Sequence, residues 1–347
     1  MGITESLRLM AKDILRFIFW YPSRFIIPFL PLRVTYMISS MISSGAGIIL
    51  YYIAGSKRKI IIEELARIFG NTKNQHELNG IAREGFMNMC KDRTEILLYP
   101  GLTRERVEKM TFIEGMDKLD RALLLGKGVI LLIAHFGANK MVMPALGFKG
   151  YKINQIAGRP IDWGNVSGIE SRMARKALEL ELNAEKRFPA KFIYITSNIR
   201  PAIRCLKNNE ILCLAVDGGG GVKRVRVNFL GRPANLSPNF ITLAKATGAT
   251  ILPTFVIRQT DSRHRILIEE PLILKAFYDE QKEWEYNTQT FADMFSKYFD
   301  YYPHLYARKL LNMRLQARRD PVPFFDDYYE SFLPNEDKKY SLKEKIV

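Results

Sequence analysis

The chain has 347 residues, 47% of them hydrophobic, which is enough to build a core and excludes wholesale disorder. Against 36 Asp and Glu stand 52 Lys and Arg, a net charge of +16 that suits a polyanionic partner: nucleic acid, an anionic membrane face or an acidic carrier protein. Three cysteines without a C-x-x-C pair argue against a disulfide scaffold and for a reducing, cytoplasmic setting. Four scattered histidines argue against a zinc site, and neither metal nor cofactor is expected.

Residues 1–56 read as a membrane-associated segment. Residues 14–29 are aromatic and aliphatic, broken by Arg16, Pro22, Arg24 and Pro28. Phe17, Phe19, Trp20, Tyr21 and Phe25 suit an interfacial belt. Residues 34–56 carry no charge, a length that could cross a bilayer core of ~30 Å, although Ser and Gly keep its hydropathy moderate. Lys57, Arg58 and Lys59 would hold that end on the cytoplasmic side. We expect a membrane-dipping or interfacial anchor; a single span and buried soluble helices are the alternatives. A cleaved signal peptide is disfavoured, because the basic residues lie within and after the apolar region.

Residues 57–125 are helical by pattern. One helix is expected over 57–69, stopped at Gly70, with a polar loop at 71–79. A second runs over 81–99 and a short third over 116–125. From 126 onward strands alternate with helices. Strands are expected at 129–134, 152–157, 192–195, 211–216, 225–230, 251–257 and 265–268. Helices are expected from about 139, over 168–184, over 198–207 and over 237–247. That alternation predicts an α/β fold with a mostly parallel or mixed central sheet covered by helices on both faces. Residues 57–319 would form this body, and 320–347 a peripheral tail.

Residues 126–140, GKGVILLIAHFGANK, are the centre of the body. A short apolar run between glycines reads as a strand buried on both faces. His135 stands where it stops, followed by Gly137 and Asn139, small residues that would let a substrate come close. In open α/β sheets ligands collect beyond the carboxyl ends of strands. Arg159 and Asp217 also stand at strand ends, so parallel strands would bring His135, Arg159 and Asp217 to one rim. Gly218 to Gly221 lacks the G-K-[ST] ending of a nucleotide loop and reads as a flexible lid or a close approach to substrate.

These residues resemble the lysophospholipid acyltransferase superfamily, in the branch of the bacterial lipid A late acyltransferases, the lauroyl and myristoyl transferases. The resemblance rests on AHFGANK, on Gly158-Arg159-Pro160, on AVDGGGG with the following VRVNFLGRPANLSPNFITLAKATGATILPTFVIR, and on YPHLYARKLLNMR. It implies an O-acyltransferase bound to the inner membrane and facing the cytoplasm. Such an enzyme moves an acyl chain from acyl-acyl carrier protein, or acyl-CoA, to a hydroxyl of a membrane glycolipid or phospholipid. The family pattern is His-x4-Asp or His-x4-Glu; His135 matches the histidine and Lys140 stands at the acidic position.

A lysine cannot accept a hydrogen bond and would oppose an imidazolium. One alternative is that another carboxylate orients His135, Asp217 first and Asp162 next. A second is that Lys140 binds a phosphate or carboxylate on the acceptor, or stabilises the oxyanion. A third is a catalytically impaired lipid binder that kept the fold. Arg159 is expected to grip a phosphate or carboxylate of the acceptor or carrier arm, and Arg232 likewise. Lys223, Arg224 and Arg226 form either a docking strip for the acidic carrier protein or a solvated edge strand. Helices over 285–299 and 305–319, one with an aromatic face and one basic, either pack beside the anchor at the membrane or bury their aromatics in the core. Nucleic acid is not expected as a partner, since no zinc pattern, RNA-binding signature or helix-turn-helix is present.

Overall fold

The computed structural model describes residues 10, 14, 32–158, 172–194, 198–218, 223–261, 263–317, 320 and 322–330. Helices α1 (Leu32–Ile53), α2 (Gly55–Phe69), α3 (Gln75–Ile96) and α4 (Arg104–Met110) lead into strand β1 (Thr111–Glu114). Then follow α5 (Met116–Leu124), β2 (Val129–Ile133), α6 (Val142–Gly147), β3 (Ile153–Ala157), α7 (Arg172–Glu185), β4 (Lys191–Tyr194), α8 (Arg200–Lys207) and β5 (Ile211–Ala215). The chain continues through β6 (Val225–Phe229), β7 (Arg232–Leu236), α9 (Asn239–Thr247), β8 (Thr250–Arg258), β9 (His264–Ile268), α10 (Glu280–Tyr301), α11 (Ala307–Gln316) and α12 (Asp327–Glu330).

Seven strands form one sheet in the order β1-β9-β8-β2-β5-β3-β4. β8, β2, β5, β3 and β4 run parallel, and β9 with β1 runs against them. This is the mostly parallel sheet the alternation predicts. Two strands are additional to that reading. β1 is a four-residue edge strand, and β7 lies between the strand expected at 225–230 and the helix expected at 237–247. β6 and β7 form a separate hairpin whose turn residues, Leu230 and Gly231, both have positive φ, the geometry of a type I′ turn.

The centre follows from period two. Ile130 and Leu132 point to one face, with Leu212, Ile251, Phe255, Phe291 and Tyr306. Val129, Leu131 and Ile133 point to the other, with Cys213, Leu252, Val256, Met110 and Leu146. All five residues of β2 are buried, so neither face tolerates a polar residue. Gly128 opens the strand at φ +73°, and a side chain there would meet the Leu206 carbonyl at 2.5 Å.

α3 begins six residues before the expected 81. Asn74 and Glu77 make a capping box, Glu77 N–H donating to Asn74 Oδ1 at 3.0 Å and Asn74 N–H to Glu77 Oε2 at 2.8 Å. α1 packs along α3: Gly47 sits against the Met87 backbone, and the buried Ser43 hydroxyl meets Thr94 Oγ1 at 2.6 Å. The opposite face of α1 leaves Met41, Ile42, Ile49, Tyr52 and Ile53 exposed. Among the described residues no helix is long and apolar enough to cross a membrane. The remainder of the expected anchor, including the aromatic belt, lies outside the described residues.

Phe291, Phe295 and Phe299 of α10 are fully buried, so that aromatic face belongs to the core. The tail expected from 320 is also partly core. Phe325 and Tyr328 are fully buried, and Asn235 N–H donates to the Phe324 carbonyl at 2.7 Å. Aromatic burial and a β-bridge from Ala234 to Phe325 bind this stretch to the hairpin. Residues 331–347 lie outside the described ones.

Candidate active site

β2 and β5 are adjacent and parallel, with Ile133 opposite Ala215. Two residues further, each chain leaves the sheet at the same rim, and His135 meets Asp217. The Asp217 carboxylate accepts from His135 Nδ1 at 2.7 Å through Oδ1, and from the His135 backbone N–H at 3.1 and 3.0 Å through Oδ1 and Oδ2. The Tyr306 hydroxyl, at the start of α11, donates to Oδ2 at 2.8 Å. The Asp217 side chain is fully buried, whereas 36% of the His135 side chain remains exposed. The nitrogen nearer the carboxylate is therefore occupied, and part of the ring reaches the surface.

Burial alone would raise the Asp217 pKa. The charge of His135, the Lys309 ammonium and the hydrogen bonds from His135 and Tyr306 outweigh it and hold the carboxyl well below the usual range. Asp217 is thus an anion throughout the neutral range. Burial pushes Lys309 down, against the pull of Asp217 and with the push of Arg224.

Lys140 follows His135 by five residues and turns elsewhere. Asn139, half-buried, opens a 3₁₀ turn over Asn139–Met141, and from it the Lys140 ammonium donates to Glu181 and Glu185 of α7, at 2.5 Å each. Burial opposes the charge, but the two carboxylates win and raise the Lys140 pKa above its ordinary value. Burial also pushes Glu185 up, in spite of the lysine. The two acids stand one helical turn apart and hold Lys140 as the link between the His135 loop and α7.

Two other expected site residues have structural work instead. Gly137 has φ +57°, and a side chain there would meet the Val256 carbonyl at 2.0 Å; its N–H donates to the Leu305 carbonyl at 3.2 Å. The missing side chain makes room for β8 rather than for a substrate, and its amide is not available to an oxyanion. Arg232 was expected to bind substrate. The tight hairpin turn points it inward, where it is 5% exposed and donates to Glu64 at 2.7 Å and to both oxygens of Asp327 at 2.6 and 2.7 Å. Its guanidinium lies 3.8 Å from the Phe325 ring centre. These contacts, and Tyr328 donating to Glu64 at 2.6 Å, lock the C-terminal stretch to α2 and the hairpin.

Of the basic strip, Lys223 lies over the Trp284 ring, Arg224 donates to the Asn235 carbonyl, and Arg226 pairs with Asp326. Arg159 and Asp162 lie outside the described residues. Tyr306 is the site residue the sequence reading missed. Its local signals are a tyrosine next to a basic helix and a place in YPHLYARKLLNMR, and its role depends on a contact 89 positions away. Among the described residues no group of His, Cys, Asp and Glu could hold a metal ion.

No individual curated protein matches the chain. The model of a protein family described as bacterial lipid A biosynthesis acyltransferase matches residues 15–298, well over half of the chain, including His135 and Asp217. The chain belongs to the bacterial lipid A biosynthesis acyltransferases.

Proposed function

We propose that the protein transfers a fatty acyl chain from acyl-acyl carrier protein, or acyl-CoA, to a hydroxyl of a membrane glycolipid or phospholipid, with His135 as general base. The observation that carries this reading is the pairing of a part-exposed His135 ring with a fully buried Asp217 at 2.7 Å. Asp217 accepts a hydrogen bond from Nδ1–H and leaves Nε2 as the basic nitrogen. Nε2 takes the proton of the acceptor hydroxyl as its oxygen attacks the thioester carbonyl. The tetrahedral intermediate then collapses, the C–S bond breaks, and the imidazolium returns the proton to the departing sulfur. An ester and a free thiol result. Asp217 stabilises the imidazolium between these two transfers, the part a carboxylate plays in serine hydrolases.

The first of the three explanations of Lys140 is the one we adopt: Asp217, and not the residue five positions on, orients the ring. The late lauroyl or myristoyl branch, the inner membrane and its cytoplasmic face belong to the same proposal. Supporting them are the charge of +16, the exposed apolar face of α1 followed by Lys57 to Lys59, and three free buried cysteines. Arg159 is proposed to hold an anionic group of a substrate, on the strength of its place after β3.

The experiment uses purified protein, labelled acyl-carrier protein or acyl-CoA, and extracted membrane lipids. Labelled ester from the parent but not from His135→Ala supports the reading and identifies donor and acceptor. The alternative, a lipid-binding relative without turnover, has Lys140 as its warrant. It would bind the lipids and give no ester with either donor.

A further inference from the structure

Building on the acid–base reading of His135 and Asp217, we propose that Tyr306 is a positioning residue of the reaction, holding the Asp217 carboxylate in the plane that meets Nδ1 of His135. The His135 backbone N–H lies between the two carboxylate oxygens, at 3.1 and 3.0 Å, and so does not by itself choose a rotation of the group. A terminal carboxylate torsion is broad unless something fixes it. The Tyr306 hydroxyl, on Oδ2 at 2.8 Å, leaves Oδ1 to the ring nitrogen at 2.7 Å.

The tyrosine is itself well placed to impose this. It is fully buried, with ring centres of Phe295 at 4.9 Å, Phe229 and Phe299 at 6.2 Å and Phe136 at 6.4 Å. Phe136 is the neighbour of His135 in the chain. The Gly137 N–H donates to the carbonyl of Leu305, the neighbour of Tyr306. The loop that carries the base and the turn that carries the tyrosine are therefore stitched together on both sides of the Asp217 contact. Lys140, the charged group nearest in sequence after His135, is occupied by Glu181 and Glu185. Support for the ring comes from Asp217 and, behind it, from the start of α11. The charged or titratable groups facing Asp217 are His135 after β2, with Tyr306 and Lys309 at the start of α11; Arg224 faces Lys309 from the hairpin side.

Tyr306→Phe keeps the ring and removes only the hydroxyl. It should lower kcat about tenfold to a hundredfold, the range for one hydrogen bond to a charged group, and leave KM within about twofold. In an Asp217→Asn background the same change should cost nothing further, because Tyr306 acts through that carboxylate. The His135 Nδ1 proton resonance, recorded on ¹⁵N-histidine-labelled protein, should move upfield and exchange faster in Tyr306→Phe. Parent kcat in Tyr306→Phe, or the same loss with and without Asp217, overturns the proposal. An unmoved Nδ1 proton also overturns it, and that readout needs no turnover. The base reading fails separately, if His135→Ala turns over like the parent.

Discussion

The substitution Lys140→Glu separates the family pattern from the structure of this chain. The pattern places an acid at this position, so a glutamate should restore or raise activity. The structure predicts the reverse. Lys140 links the loop after His135 to Glu181 and Glu185, with side chains 43%, 21% and 11% exposed. At an effective dielectric near 20, unit charges ~4 Å apart interact by about 4 kcal/mol. Solvent at the half-exposed lysine reduces each pair to roughly 1–2 kcal/mol. Glutamate removes both attractions and adds a third negative charge, part of which is relieved when Glu185, already pushed up by burial, takes a proton. We expect a loss of about 3 kcal/mol, a fall of roughly 5–10 °C in unfolding temperature, and reduced turnover as α7 loosens from the site. Lys140→Met should lose about half as much stability. The assay is a thermal melt beside thiol release from the acyl donor. A glutamate variant that melts with the parent and turns over faster would refute the reasoning.

Three further outcomes follow from the same contacts. Asp217→Asn should cut turnover by about 10³–10⁴, the scale set by the amide replacement in serine proteases, in protein that still folds; near-normal turnover would restore another partner for His135. Arg232→Met removes the nearest cation from Glu64, whose side chain is 1% exposed, leaving it the Tyr328 hydroxyl and Arg314 at 3.8 Å, and should cost about 3 kcal/mol in urea unfolding without a specific rise in KM. A rise in KM at unchanged stability would return Arg232 to substrate binding. Arg258 and His264 overcome the burial of Glu95 and hold its carboxyl down to about 2. This is below the unfolded value of ~4.3, so the stabilisation is present above that pH and fades as pH falls toward 2, about 3 kcal/mol in all. The urea midpoint should drop between pH 5 and pH 3; a flat midpoint would contradict the assignment.

Much of the site was legible because its logic is local. VILLI between glycines reads as a strand buried on both faces, and parallel strands would carry His135 and Asp217 to one rim; that β2 and β5 are neighbours in register is what the structure adds. What escaped depends on partners far along the chain. Arg232 read as a grip for a substrate anion, but a type I′ turn directs it inward to Glu64 and Asp327, which lie 168 residues before it and 95 after it. Lys140 read as an anomaly because Glu181 and Glu185 were two charges among many on a polar helix. Tyr306 lay within YPHLYARKLLNMR without a role of its own, since a single hydroxyl aimed at a buried carboxylate leaves no periodicity. The start of α3 was misplaced for a different reason. Its capping box precedes the apolar stripe, and the stripe alone set the expected boundary.

Single-turnover transfer by His135→Gly, with and without added imidazole, tests the proton-transfer role of the ring most directly. The pairing with Asp217 predicts a loss of at least about 10³, partly restored by imidazole in the cavity left beside Asp217, and no restoration in a variant that also carries Asp217→Asn. Transfer by His135→Gly within tenfold of the parent would contradict it.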